Sequence, residues 1–249
     1  MLSPKQIESI KEQAFVGVPS PLENVCLITP PTIKEIVTMG TYKYNTILGL
    51  LLLTEVDIMQ IIKEKTDKDV NIEDIKPLEY LLQSASYNDM FFLELEEAFS
   101  TFIKEELILL PKINSVLVGP MTERRLITES NFRDFQDILR IQNKKEIKEA
   151  PPENESEIAR KFRLKREARD AVKRKQKEKN GEQQSLLDLF EIAETFGIDY
   201  KNKTIFAFYN LLTRHQRKEK WDQDIQMLCA GADSQKLKTK YWGVGSKDE

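Results

Sequence analysis

Residues 92–118, FLELEEAFSTFIKEELILLPKINSVLV, decide the fold class. In their first half Phe92, Leu95, Phe99, Phe102 and Ile103 recur at helical spacing, which winds one apolar stripe along a helix. The second half reads differently. Residues 107–110 and 116–118 are short apolar runs separated by Pro111 and Asn114, the pattern of two strands and a turn. Residues 125–128 are a candidate third strand. The passage predicts a mainly α protein with a small β element.

Working back toward the N-terminus, Ser3, Pro4 and Gln6 read as N-cap, first helical position and capping-box partner. Gly17 to Pro21 break that helix. Residues 25–28 are apolar and bounded by Pro30-Pro31, so they are expected to form a strand, a candidate neighbour for the strands above. Thr32 and Glu35 form a second capping box, with Ile33, Ile36 and Val37 as the apolar face and Gly40 as the stop. A helix over about 42–53 follows. Thr54 then caps another, bearing Val56, Ile58, Met59, Ile61 and Ile62. Residues 67–76 are polar and read as a loop, and Pro77 reopens a helix.

Past the strands, Ser130 or Asn131 is expected to cap a helix carrying Phe132, Phe135, Ile138 and Leu139, which ends near Asn143. Pro151-Pro152 mark a boundary. Residues 157–179 hold eleven Lys and Arg against four Asp and Glu, a net charge of +7 in a chain whose total is −3. This segment includes Arg160, Lys161, Arg163, Lys165, Arg166, Arg169, Lys173, Arg174 and Lys175, and it has too few large apolar residues to bury a core. After Asn180-Gly181 come three apolar stripes: Leu186, Leu189, Phe190, Ala193 and Phe196; Phe208, Leu211, Leu212 and His215; Trp221, Ile225, Leu228 and Cys229. They predict three short helices, with Gly197 ending the first. The resulting organisation is an α+β domain over 1–148, a basic charged linker or helix over 149–182, and a small helical domain over 183–249.

Catalytic chemistry is not legible here. His215 is the single histidine, on the edge of an apolar face between Arg214 and Arg217, and the sequence places no nucleophile or orienting carboxylate beside it. Cys26 and Cys229 each sit in an apolar pattern and read as core thiols. Two cysteines and one histidine do not make a zinc ligand set, and there is no Gly-rich phosphate loop. No catalytic residue, metal or cofactor is therefore assigned. The start lacks a basic region followed by an apolar run, and the longest apolar run is shorter than the roughly 20 residues needed to span a bilayer, which predicts a cytoplasmic protein.

Binding is better represented. The basic segment suits a solvated linker with i to i+4 pairs such as Arg163–Glu167, or an acidic partner, better than nucleic acid. Phe162 is its one aromatic, which is poor for base stacking. Small residues Ala230, Gly231 and Ala232, followed by Trp242, suit either a close-packed interface or a helix end with a folded-back tail. Tyr209 and Trp221 complete the candidate partner-binding set.

The run Val25-Cys26-Leu27-Ile28-Thr29-Pro30-Pro31-Thr32-Ile33-Lys34-Glu35-Ile36 resembles the start of tail-gene products of phages and prophages of Gram-positive bacteria. So do Ile127-Thr128-Glu129-Ser130-Asn131-Phe132-Arg133-Asp134-Phe135 with Ile138 and Gln142-Asn143. The ending Ile205-Phe206-Ala207-Phe208-Tyr209, residues 221–226, Ala230-Gly231-Ala232 and Trp242 are similar to the same group's C-terminal pattern. The resemblance implies a tail assembly chaperone in the host cytoplasm, which binds the tape measure and tail tube proteins. A structural component of the tail or baseplate, in the virion, and a nucleic-acid-binding accessory protein are the alternatives. The resemblance carries a role and no active site.

Overall fold

A computed structural model of the chain describes residues 2–66, 71–145 and 186–230, with Ser156, Ala159, Arg166 and Arg169 between them. It is mainly helical with a small β part.

The N-terminal capping signals act as read. Ser3 and Gln6 close a capping box at the start of α1 (Pro4–Val16), and Gly17 ends the helix at φ +83°, a left-handed conformation that glycine adopts without a Cβ clash. Thr32 and Glu35 do the same for α2 (Ile33–Met39), which Gly40 terminates. Helix α3 (Thr41–Leu51) follows at once. Thr54 starts α4 (Glu55–Thr66), its hydroxyl accepting the Asp57 N–H while Asp57 Oδ2 accepts the Thr54 N–H at 3.0 Å. The polar stretch before Pro77 contains one 3-10 turn (Ile72–Asp74), and residues 67–70 within it lie outside the described residues.

Helix α5 (Pro77–Ser86) has no side-chain cap of its own, and Glu129 supplies one from elsewhere in the chain. Its carboxylate accepts the Leu78 and Glu79 N–H groups at 3.1 and 3.2 Å. Helix α6 (Asp89–Phe102) is capped by Asn88 and buries Leu95, Ala98, Phe99 and Phe102, the stripe expected from its spacing.

The β part differs from expectation in its pairing. Strand β1 (Ser20–Leu22), which overlaps the stretch read as a break, forms an antiparallel hairpin with β2 (Cys26–Ile28). The other three strands, β3 (Leu107–Leu110), β4 (Ser115–Val118) and β5 (Arg125–Ile127), make a separate antiparallel sheet in the order β3-β4-β5. Thus β2 does not join that sheet, and a single bridge from Ile28 to Ile103 links it to the end of α6.

Helix α7 (Glu129–Gln142) runs through the middle. It starts two or three residues earlier than expected: Thr128 is the N-cap, and Asn131, expected as a cap, instead accepts the Thr128 N–H at 2.8 Å and donates to the Leu126 carbonyl at 3.0 Å. Every residue from Phe135 to Gln142 is buried, with Asn143 behind them. Phe99, Phe132 and Phe135 meet with ring centroids 5.5 to 6.4 Å apart. Gln142 Nε2 donates to the Ile28 carbonyl at 2.9 Å, tying α7 to the hairpin, and the Tyr44 hydroxyl bonds to Asn143.

The C-terminal stripes form α8 (Leu186–Thr195), ended by Gly197 at φ +64°, and a single 25-residue α9 (Ile205–Cys229). The expected second and third short helices are thus one. No Gly or Pro lies between Thr204 and Gly231, so nothing in the backbone chemistry interrupts the helix. The core packing of this helix is confined to its N-terminal part. Phe206 belongs to the main core, and Ile33 of α2 packs with Leu189, Ala193, Phe208 and Leu212.

Candidate partner-binding surface

Helix α9 is held at its N-terminal end from three sides. Thr204 is the N-cap, its oxygen accepting the Ala207 N–H at 3.1 Å and its hydroxyl donating to the Ala14 carbonyl at the end of α1. The Ile33 and Lys34 N–H groups donate to the Lys203 and Lys201 carbonyls at 2.8 and 2.9 Å. Phe206, Ala207, Phe208 and Leu212 are buried, and Phe208 lies in a cluster with Phe190 and Tyr200 at 5.7 and 5.6 Å.

Beyond Leu212 the environment changes. No α9 side chain past that position is buried among the described residues, although seventeen more residues follow, about 25 Å of helix. Ile225, Met227 and Leu228 are 37%, 54% and 37% exposed. The last turn holds no basic residue to complement the helix macrodipole. Among the described residues the distal half contributes no buried side chain to the core, while presenting apolar side chains.

The candidate residues distribute unevenly over this helix. Tyr209 is half-buried against Phe208, at 5.9 Å between centroids, and burial raises its phenol pKa. Trp221 is half-buried, where a fully buried anchor was expected, and Ala230 is exposed at the helix end. Gly231, Ala232 and Trp242 lie outside the described residues. In the basic segment Arg166 and Arg169 are exposed and helical, while Arg160, Lys161, Arg163, Lys165, Lys173, Arg174 and Lys175 lie outside the described residues. Met227 was not singled out by sequence. Its signal was an apolar residue off the phase of the Trp221, Ile225, Leu228 stripe.

The residues weighed for chemistry are placed as follows. His215 stacks on Phe196 with ring centroids 5.5 Å apart. Cys26 is buried in the hairpin, and burial pushes its thiol up to about 12, which keeps it protonated and poorly nucleophilic. Cys229, expected in the core, is exposed instead, because the stripe it belongs to lies on the distal half of α9. Among the described residues no group of His, Cys, Asp and Glu is arranged to hold a metal ion, and no single helix is long and apolar enough to cross a membrane. Comparison with protein-family models, curated proteins and solved structures returns no match.

Proposed function

We propose that the protein is a phage tail morphogenesis chaperone that binds helical tail proteins, the tape measure and tail tube subunits, through the distal half of α9. The observation that carries this reading is the exposed set Ile225, Met227 and Leu228 on a helix whose buried side chains, among the described residues, all lie at its other end. A helix of that kind can lay an apolar face against a client helix at little cost to its own fold. The residues that resemble tail-gene products, 205–209 and 221–226, lie on the same helix. The basic segment would act as an electrostatic arm that steers acidic client surfaces and weakens as salt rises.

Co-expression with tape measure and tail tube proteins tests it. The expected result is a gain in soluble client that Ile225→Glu with Leu228→Glu removes. No gain for any tail protein, together with tight and salt-sensitive DNA binding by the full chain, would move the assignment to a nucleic-acid accessory protein. Stoichiometric presence in purified particles would make it a virion component.

A further inference from the structure

A second exposed apolar face lies on α6, remote in sequence from α9. Tyr87, just ahead of the helix, is 91% exposed, Met90 68% and Leu93 57%. Tyr87, Met90 and Leu93 recur every three residues, so Met90 and Leu93 share the solvent face of the helix that buries Leu95, Ala98 and Phe99 on its other side. Glu94 flanks this pair on one edge and Asp89 on the other, with Glu97 further along the same face.

The charges on this face are unbalanced. Glu97 pairs with Lys43 of α3 at 2.5 Å, whereas Asp89 and Glu94 have no cation within ion-pair distance among the described residues. At Glu97 the face runs into an open depression between α2, α3 and α6, lined by Lys34, Glu35, Met39, Lys43 and Glu97 among others. The stripe from Met90 to Glu97 is about 10 Å long, and the depression extends it by another apolar residue, Met39.

We propose that this face is a docking surface for a basic amphipathic helix of a partner protein. Methionine is adaptable and suits surfaces that accept varied apolar side chains. A partner helix with Lys or Arg beside its apolar stripe would seat that stripe on Met90 and Leu93 and bring its cations to Asp89 and Glu94, which have no ion-pair partner among the described residues. An acidic or neutral helix would meet like charge or leave those carboxylates desolvated without compensation. The surface is independent of α9, so its failure would leave the chaperone reading standing, and the reverse also holds.

The test uses the full chain and two synthetic amphipathic peptides of about 18 residues, five helical turns, one built from Leu and Lys and the other from Leu and Glu in the same pattern. Binding is followed by fluorescence anisotropy of the labelled peptide. The Leu–Lys peptide is expected to bind and the Leu–Glu peptide not to. Met90→Ser with Leu93→Ser should weaken the Leu–Lys peptide tenfold or more without moving the thermal melt, because both side chains are exposed. Glu94→Gln should weaken it several-fold and reduce its salt dependence. Equal binding of both peptides, or unchanged affinity in the double variant, would overturn the proposal. So would a concentration-dependent dimer of the chain that the double variant abolishes, since the face would then belong to a second copy.

Discussion

Arg140 Nη1 and Asp137 Oδ1 meet at 2.9 Å inside the protein, with side chains only 8% and 6% exposed, on the helix that runs through the core. Burial raises the Asp137 pKa even though Arg140 opposes the shift. A raised carboxylate pKa means that folding favours the protonated form, so this group's contribution falls as pH rises from the unfolded pKa through the folded one. Arg140→Met removes the opposing charge and should move the Asp137 pKa further up. The expected loss near neutral pH is about 3–5 kcal/mol, the usual cost of stranding one partner of a buried pair. Urea unfolding should show a smaller loss at acid pH, where Asp137 is protonated in both states. The double variant Asp137→Leu with Arg140→Met should return to within about 2 kcal/mol of the parent.

Two glutamates at helix starts should respond oppositely to pH. Glu35 is held below the usual carboxylate range, chiefly because its carboxylate accepts the Thr32 N–H at 2.7 Å. Its contribution is present above the unfolded pKa and is lost as pH falls through the folded one. Glu129 is raised, chiefly by burial, despite the α5 N–H groups it accepts. Its contribution is largest at acid pH and is lost as pH rises through the range from its unfolded to its folded pKa. Glu35→Gln should therefore lower the neutral-pH melting temperature and flatten the acid limb. Glu129→Gln, whose amide oxygen can still accept from Leu78 and Glu79, should hold or raise the neutral-pH melting temperature. Melts across pH 3 to 7 separate the two.

Gly119 makes room for Arg125. A Cβ at Gly119 would stand 2.1 Å from Arg125 Nη2, at a backbone φ of +73° that side chains rarely adopt. Arg125 donates to the Val25 carbonyl at 3.0 Å and to Glu105 at 2.6 Å, joining the hairpin to the edge of the three-stranded sheet. Gly119→Ala should displace this side chain and cost more than about 1 kcal/mol. Hydrogen exchange should quicken at β4 and β5 before it does in α7.

The parts of this fold that were legible are those written locally. Ser3 with Gln6, Thr32 with Glu35, and Thr54 are caps whose partners lie within three residues, and each acts as read. Strand pairing is not local. Residues 20–22, with Pro21 at their centre, give no strand signal, and the hairpin depends on pairing with β2. The capping of α5 by Glu129 spans about fifty residues and has no sequence signature. The candidate surface was half legible for a similar reason. Phe208–Leu212 and Trp221–Ile225–Leu228 have the same helical spacing, but among the described residues α2 and α8 bury members of the first alone. Periodicity shows that a helix has an apolar face and does not show what lies against it.

That difference sets the last prediction. By sequence, Trp221 is the largest apolar residue of the C-terminal stripes. In the fold, Phe208 is fully buried among Phe190, Tyr200 and Tyr209, whereas Trp221 is half-buried nine residues beyond Leu212. Phe208→Ala should cost about 3–5 kcal/mol, through lost transfer energy and the cavity left in the cluster. Trp221→Ala should cost less than that, because Trp221 is only partly buried. Urea unfolding followed by circular dichroism ranks the two. The functional order should be reversed. Trp221 shares the distal helix with Ile225 and Leu228, so Trp221→Ala should reduce solubilisation of co-expressed tail protein at a temperature where the variant is fully folded. An equal or larger loss of stability for Trp221→Ala would mean that the distal half of α9 is part of the core, and would remove it as the client-binding surface.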